Sequence, residues 1–261
     1  SPLIAGFKIE AYNNDSTSML IKVNDIYDGT ETSINNVFTN INLGTSAIKN
    51  LSRILSIKSF DNNVVATSEL TTRVTEGTTT IYVTVEVSSS ILLLPEVPMT
   101  GRLDNPRVGY FTNPLTNFSD GQQRVNKKQF ITRWRLEPKP EDREAYLRGE
   151  LVEPHKPIVF YIENSTPYRW RKYIKQGIED WQVAFERAGF KNAIIAKDIT
   201  DDMEVDMDDV NYSVLTYAAS TKANAMGPSI LDPRSGEILE ADIMWWHNVL
   251  SMLQEWITVQ T

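Results

Sequence analysis

Two short apolar runs flank Asp232-Pro233-Arg234-Ser235-Gly236 within the stretch Gly227 to His247, and this turn constrains the chain more than any other feature. Pro supplies φ near −65° and Gly supplies positive φ, so the backbone has to reverse there. After the turn, Leu239, Ala241, Ile243 and Trp245 alternate with Ile238, Glu240, Asp242 and Met244. That period of two predicts a strand with one apolar and one acidic face. A strand bearing Glu240 and Asp242 on one face is expected at a sheet edge, where its free N–H and C=O groups can pair with an extended peptide.

The chain before this stretch reads in three parts. Residues 1–98 are expected to form a β-rich module. PLIAGFKIEAY, SMLIKVNDIY, SRILSIKSF, NNVVATSELTTRV and TTTIYVTVEVSSSILLL are rich in Ile, Val, Thr and Tyr and are separated by turn residues such as Asp28-Gly29 and Glu76-Gly77. Ile81, Val83, Val85 and Val87 alternate cleanly, which points to an antiparallel arrangement. The polar segment Thr32 to Lys49 reads as a loop or a weak helix. No chemistry is visible in these residues, and a packing or positioning role is expected.

Pro95 and Pro98 mark a boundary, and 99–155 read as an irregular connecting segment with a strand at about 128–136. Arg107, Arg133 and Arg135 either hold carboxylates of a neighbouring domain or lie as solvated charge. Residues 156–261 read as β-α-β-β-β-α. Pro157 to Ile162 is a buried strand. Thr166 is the expected N-cap and Pro167 the first helical residue, with Ile174, Ile178, Trp181 and Phe185 on one face and Gly189 as the stop. Strands follow at 192–196 and 210–218, then the hairpin, then a helix after His247. The fold class is α+β.

Composition narrows the chemistry. The chain has no cysteine, so disulfides, thiolate nucleophiles and Cys-held metals are excluded. A formal charge of −8 argues against nucleic acid as a partner, and no membrane-spanning segment is expected. The two histidines, His155 and His247, are far apart in sequence and form no HExxH pair. Asp201, Asp202, Glu204, Asp206, Asp208 and Asp209 form an acidic loop, either solvated or calcium-binding, though without EF-hand spacing. Glu237, Glu240 and Asp242 hold the alternative of a carboxylate pair for glycoside hydrolysis, which needs two acids ~5–9 Å apart in a cleft.

LLLPEVPMTGRLDNPRVGYF, WRKYIKQGIEDWQVAFERAGF and GPSILDPRSGEILEADI, with the intervening collinear stretches of residues 92–261, resemble the large exported bacterial zinc-dependent metalloproteases, whose central region is a domain of unknown function. Residues 1–91 resemble the β-rich part before that region more loosely. The resemblance implies a metzincin-like peptidase domain of the HExxHxxGxxH type. Residues 156–261 are then its upstream half, and the zinc helix follows where this chain ends. Both ends look cut in mid-pattern, so the chain reads as a piece of a longer protein.

The resemblance makes Gly236, Glu237, Ile238, Leu239, Glu240 and Ala241 the substrate-aligning edge strand. The implied partners are a peptide or protein substrate and the remainder of the catalytic domain. No catalytic residue or metal ligand maps onto this chain. Zinc is expected only in the longer protein, and these residues alone are expected to be inactive. The alternative is a non-enzymatic module whose β-rich part binds protein or glycan, which an exposed row among Phe7, Tyr12, Phe38, Phe60 and Tyr82 would favour.

Overall fold

The computed structural model describes residues 6–32, 36–44, 46–117, 121 and 123–260. Residues 2–5 of the first expected strand, and 33–35 and 45 of the expected loop, lie outside the described residues. The fold is α+β and divides into two compact units, 1–93 and 94–261. Residues 99–155, expected as a connecting segment, belong to the second unit.

In the first unit, β1 (Ile9–Tyr12) and β2 (Met19–Ile21) form a small antiparallel pair. Two four-residue helices follow, α1 (Asn24–Tyr27) and α2 (Val37–Asn40). Helix α1 occupies residues expected to end a strand. Helix α2 lies in the polar segment, where the Asn36 side chain accepts the Thr39 N–H at 3.1 Å as its N-cap. Then come β3 (Arg53–Ser59), β4 (Asn63–Glu76) and β5 (Thr79–Leu92), an antiparallel sheet with β4 in the centre.

The alternation foreseen for β5 places Ile81, Val83, Val85 and Val87 opposite Val74, Thr72, Leu70 and Ser68. Ala66, Leu70 and Thr72 of this face are buried, as are Ile26, Tyr27 and Phe38 of the two short helices. The opposite face is a ladder of hydroxyls. Thr71 bonds Thr84 at 2.9 Å, Thr75 bonds Thr80 at 3.1 Å, and Asn63 donates to Ser90 at 3.1 Å. Such cross-strand pairs contribute roughly 0.2–1 kcal/mol each.

The second unit begins with an antiparallel pair, β6 (Thr112–Asn117) and β7 (Asn126–Ile131), followed by β8 (Arg133–Trp134) and α3 (Arg143–Leu147). Then come β9 (Ile158–Ile162), α4 (Tyr168–Glu179), α5 (Gln182–Arg187), β10 (Ile194–Asp198), β11 (Ser213–Ala218), β12 (Ala225–Met226), β13 (Ser229–Asp232), β14 (Glu237–Ala241), β15 (Ile243–Trp246) and α6 (Val249–Gln260). Five of these strands form one sheet in the order β10-β9-β11-β15-β12. Strands β10, β9, β11 and β15 are parallel, and β12 runs antiparallel at one end. The apolar run of β9 is buried at the sheet centre, where Ile158 and Phe160 pack with Ile178, Ala196 and Leu215.

The helix expected from 166 to 189 is two helices. Helix α4 starts one residue later than foreseen, with Pro167 rather than Thr166 at the cap, and Thr166 is buried. Arg171 closes this entrance by donating to the carbonyls of Thr166 and Asn164 at 2.9 and 2.8 Å. The break falls at Asp180-Trp181 and leaves Trp181, expected on the buried face, 64% exposed. Polar side chains account for the change of direction. Gln182 accepts the N–H groups of Ala193 and Ile194 and donates to the Phe190 carbonyl, and Glu179 accepts the Ala196 N–H. These bonds tie the end of α4 and the start of α5 to the beginning of β10. Gly189 is the stop expected of it, at φ +96° and with the Tyr146 ring where a Cβ would sit.

Candidate functional site

The hairpin forms as the turn residues dictate, with β13 antiparallel to β14. Its position differs from the expectation. Strand β14 is the middle strand of a sheet ordered β13-β14-β8, so Glu237 and Ile238 have neighbours on both sides. The expected edge of Gly236, Glu237, Ile238, Leu239, Glu240 and Ala241 is corrected on this point. Arg133 donates its N–H to the Gly236 carbonyl at 3.1 Å, and Ala241 donates its own to Ser213 Oγ at 3.1 Å. Leu239 is half-buried.

The acidic face of the hairpin is also consumed from within. Asp232 is fully buried and bonded to the Nε and guanidinium nitrogens of Arg234, at 2.7 Å for the shortest. That hydrogen bonding holds its carboxyl below the usual carboxylate range despite burial. Arg234 also reaches the Pro95 carbonyl at 2.6 Å. Glu237 is buried and paired with Arg135 at 2.8 Å, while Arg135 donates as well to the Val97 carbonyl at 2.9 Å. Arg133 donates to the Thr100 carbonyl and Arg107 to the Asn105 side chain. Of the three arginines singled out, Arg135 thus holds a carboxylate, and it lies in the same unit. Together these bonds make the hairpin a polar knot that ties residues 95–100 to β14.

Glu240 and Asp242 sit where the chain leaves β14 and enters β15. Glu240 is buried, and its Oε1 has no hydrogen-bond partner. Burial first, and then the adjoining Asp242 carboxylate, push the Glu240 carboxyl up to about 8. Asp242 Oδ1 accepts the Val214 N–H at 2.8 Å. The glycosidase arrangement needs its acids in a cleft open to substrate, and the buried Glu240 does not meet that requirement.

The open edge of the five-stranded sheet is β12, whose two residues are exposed. The Trp246 N–H donates to the Asn224 carbonyl at 3.3 Å, and Ala225 stands opposite Trp245. In an antiparallel ladder this turns the N–H and C=O of Ala225 away from β15. The Asn224 side chain accepts that N–H at 2.9 Å. Around this edge, Lys222 lies over the Trp246 ring with Nζ 4.1 Å from its centroid, and the buried Tyr217 bonds its hydroxyl to Nδ1 of the exposed His247. The His247 ring therefore does not cap α6. Its backbone carbonyl accepts the Leu250 N–H at 3.4 Å. A two-residue strand has no periodicity to read, so β12 was not foreseen. The one available signal was Gly227-Pro228, which ends an extended stretch.

The acidic loop spends its carboxylates locally. Asp206 accepts the Asp208 N–H, Asp209 accepts from Asn211, and hydrogen bonding to Thr200 lowers the Asp202 carboxyl. Among the described residues no group of three or more His, Asp or Glu is placed to hold a metal ion. His155 is exposed. Phe38 is buried, which breaks any row of the five aromatics of the first unit. Among the described residues no helix is long and apolar enough to cross a membrane.

Residues 1–139 match a family model described as a domain of unknown function (DUF5117). The chain belongs to this family. The DUF5117 match spans the whole first unit and continues in the second through β6, β7 and β8, the strand that pairs with β14. No curated protein and no solved structure matches the chain.

Proposed function

We propose that residues 94–261 form the upstream, substrate-aligning part of a zinc-dependent endopeptidase domain in an exported protein, preceded by a β-rich accessory module. The observation that carries this reading is the sheet order β10-β9-β11-β15-β12, with four parallel strands and one exposed antiparallel strand at the end. A metzincin-like domain, which the sequence resembles, aligns its substrate antiparallel to such an edge. The edge that fits is Ala225–Met226 rather than Gly236–Ala241, in which Glu237 and Ile238 already have strand neighbours on both sides. An incoming peptide would take the outward C=O of Ala225 and displace the Asn224 side chain from its N–H.

The described residues do not fit a zinc ion, because they bring no set of three ligands together. The metal ligands and the general base are assigned to a segment beyond these residues, and no catalytic step is assigned to this chain. The chain's own contribution is positional. It holds a peptide extended beside the sheet, which lowers the entropic cost of presenting one bond to the reacting groups.

The test is peptide hydrolysis and zinc content in the longer protein that contains this chain. Zinc-dependent hydrolysis, lost in Ala225→Pro with zinc content and melting temperature unchanged, is the expected result. Hydrolysis unaffected by Ala225→Pro would refute the edge assignment, and a zinc-free, inactive longer protein would refute the peptidase reading.

A further inference from the structure

The edge strand is accompanied by one charge in an otherwise uncharged stretch. From Val210 to Leu231 the sequence has a single ionisable cation or carboxylate, Lys222, in a chain whose formal charge is −8. The side chain does not extend freely into solvent. Its ammonium rests over the Trp246 ring, where the electron-rich face attracts a cation. The loop that carries it is held at two points. Its N–H donates to Ser220 Oγ at 3.2 Å, and Asn248 donates to the Thr221 carbonyl at 3.0 Å. No carboxylate among the described residues pairs with it.

The surface next to this ammonium is apolar. Met226 stands opposite Met244 in the register, and strand alternation places Trp246, two residues on, on the same face. Met226 and Met244 are both exposed. A peptide on the open side of β12 would direct every second side chain over this face. Asn224 shares this face by the same alternation, and the charged group beside it is the Lys222 ammonium.

We infer that Lys222 is a specificity-determining residue of this edge, and that it selects peptides with a Glu or Asp on the face shared by Met226 and Trp246. The inference rests on the peptide-aligning reading of β12 and adds to it the chemical class of the bound chain. An acidic side chain suits both parts of the surface: its methylenes cover the methionines and its carboxylate reaches the ammonium. The ring beneath restricts where the ammonium can go, so less side-chain freedom is lost on pairing than for an unsupported lysine.

The experiment is calorimetric titration of the 261-residue chain with acetylated octapeptides, in which one Glu is scanned through a neutral Val/Thr-rich sequence and compared with Gln at each position. At one position the Glu peptide is expected to bind about fivefold more tightly than its Gln counterpart, a preference that shrinks as salt is raised. Lys222→Met removes the preference and Lys222→Glu reverses it, while Ala225→Pro abolishes binding of both peptides. Equal binding of Glu and Gln peptides at every position overturns the role of Lys222 and leaves the peptide-aligning edge standing. Binding of no peptide at all overturns both.

Discussion

The buried carboxyl group of Glu240 lies beside that of Asp242, across the single step where the chain passes from the three-stranded sheet to the five-stranded one. Because Asp242 accepts the Val214 N–H, the pair links β14, β15 and β11. Its stability depends on the Glu240 proton. A neutral Glu240 suits the buried site, whereas an ionised one meets both burial and the neighbouring Asp242 carboxylate.

This sets a pH dependence with a definite sign. The Glu240 carboxyl titrates near 4.5 when unfolded and is pushed up to about 8 in the fold. Between those values the folded state holds a proton that the unfolded state lacks, so stability falls as pH rises from about 5 to about 8. Glu240→Gln removes the titration. Urea unfolding at pH 5 and pH 9 is expected to show the variant equal to the parent at the lower pH and more stable, by on the order of 1 kcal/mol or more, at the higher. Parallel pH profiles for the two proteins would count against the raised titration of Glu240.

Gly236 is required by both conformation and space. It has φ +76°, and a Cβ there would lie 2.6 Å from the Ile131 carbonyl oxygen. Gly236→Ala is expected to destabilise the second unit by about 2–3 kcal/mol. Gly77→Ala shares the positive φ but meets nothing within 4 Å, so it should cost only about 1 kcal/mol. Equal costs, measured by urea unfolding, would show that the contact with Ile131 is relieved by a shift of β7.

Arg135 and Glu237 test the knot at the hairpin. Arg135→Ala strands a buried carboxylate and is expected to cost about 3–5 kcal/mol. Arg135→Met combined with Glu237→Gln leaves no buried charge and should recover more than half of that loss. Failure of the double variant to recover would locate the cost in the Arg135 bond to the Val97 carbonyl instead.

Phe38 anchors the first unit. A four-residue helix in a polar segment is far too short to persist on its own, yet Phe38 is 2% exposed. Phe38→Ala is expected to cost about 3–5 kcal/mol and to loosen hydrogen-exchange protection in β4. Unchanged protection there would mean that α2 is dispensable to the sheet.

Much of the fold was legible from local pattern. The long hairpin of β4 and β5, the buried run of β9 and the Pro233–Gly236 turn each follow from residue type and spacing within a few positions. The candidate site was less legible. Glu240 and Asp242 read as the acidic face of an edge strand, whereas Glu240 is buried, as is Glu237. Arg135 lies 102 residues before Glu237, and the raised titration of Glu240 depends on burial that no local pattern records.

The sequence by itself determined the turn, the lack of thiol chemistry and the α+β class, because these depend on backbone preference and composition. Tertiary structure alone decided which strand is an edge. Strand β8, only two residues long, pairs with β14 and makes it central, while β12, also two residues long, is left open beside Lys222 and Trp246. Edge position is a property of which strands meet, and pairing between residues a hundred positions apart leaves no trace in the period of either one.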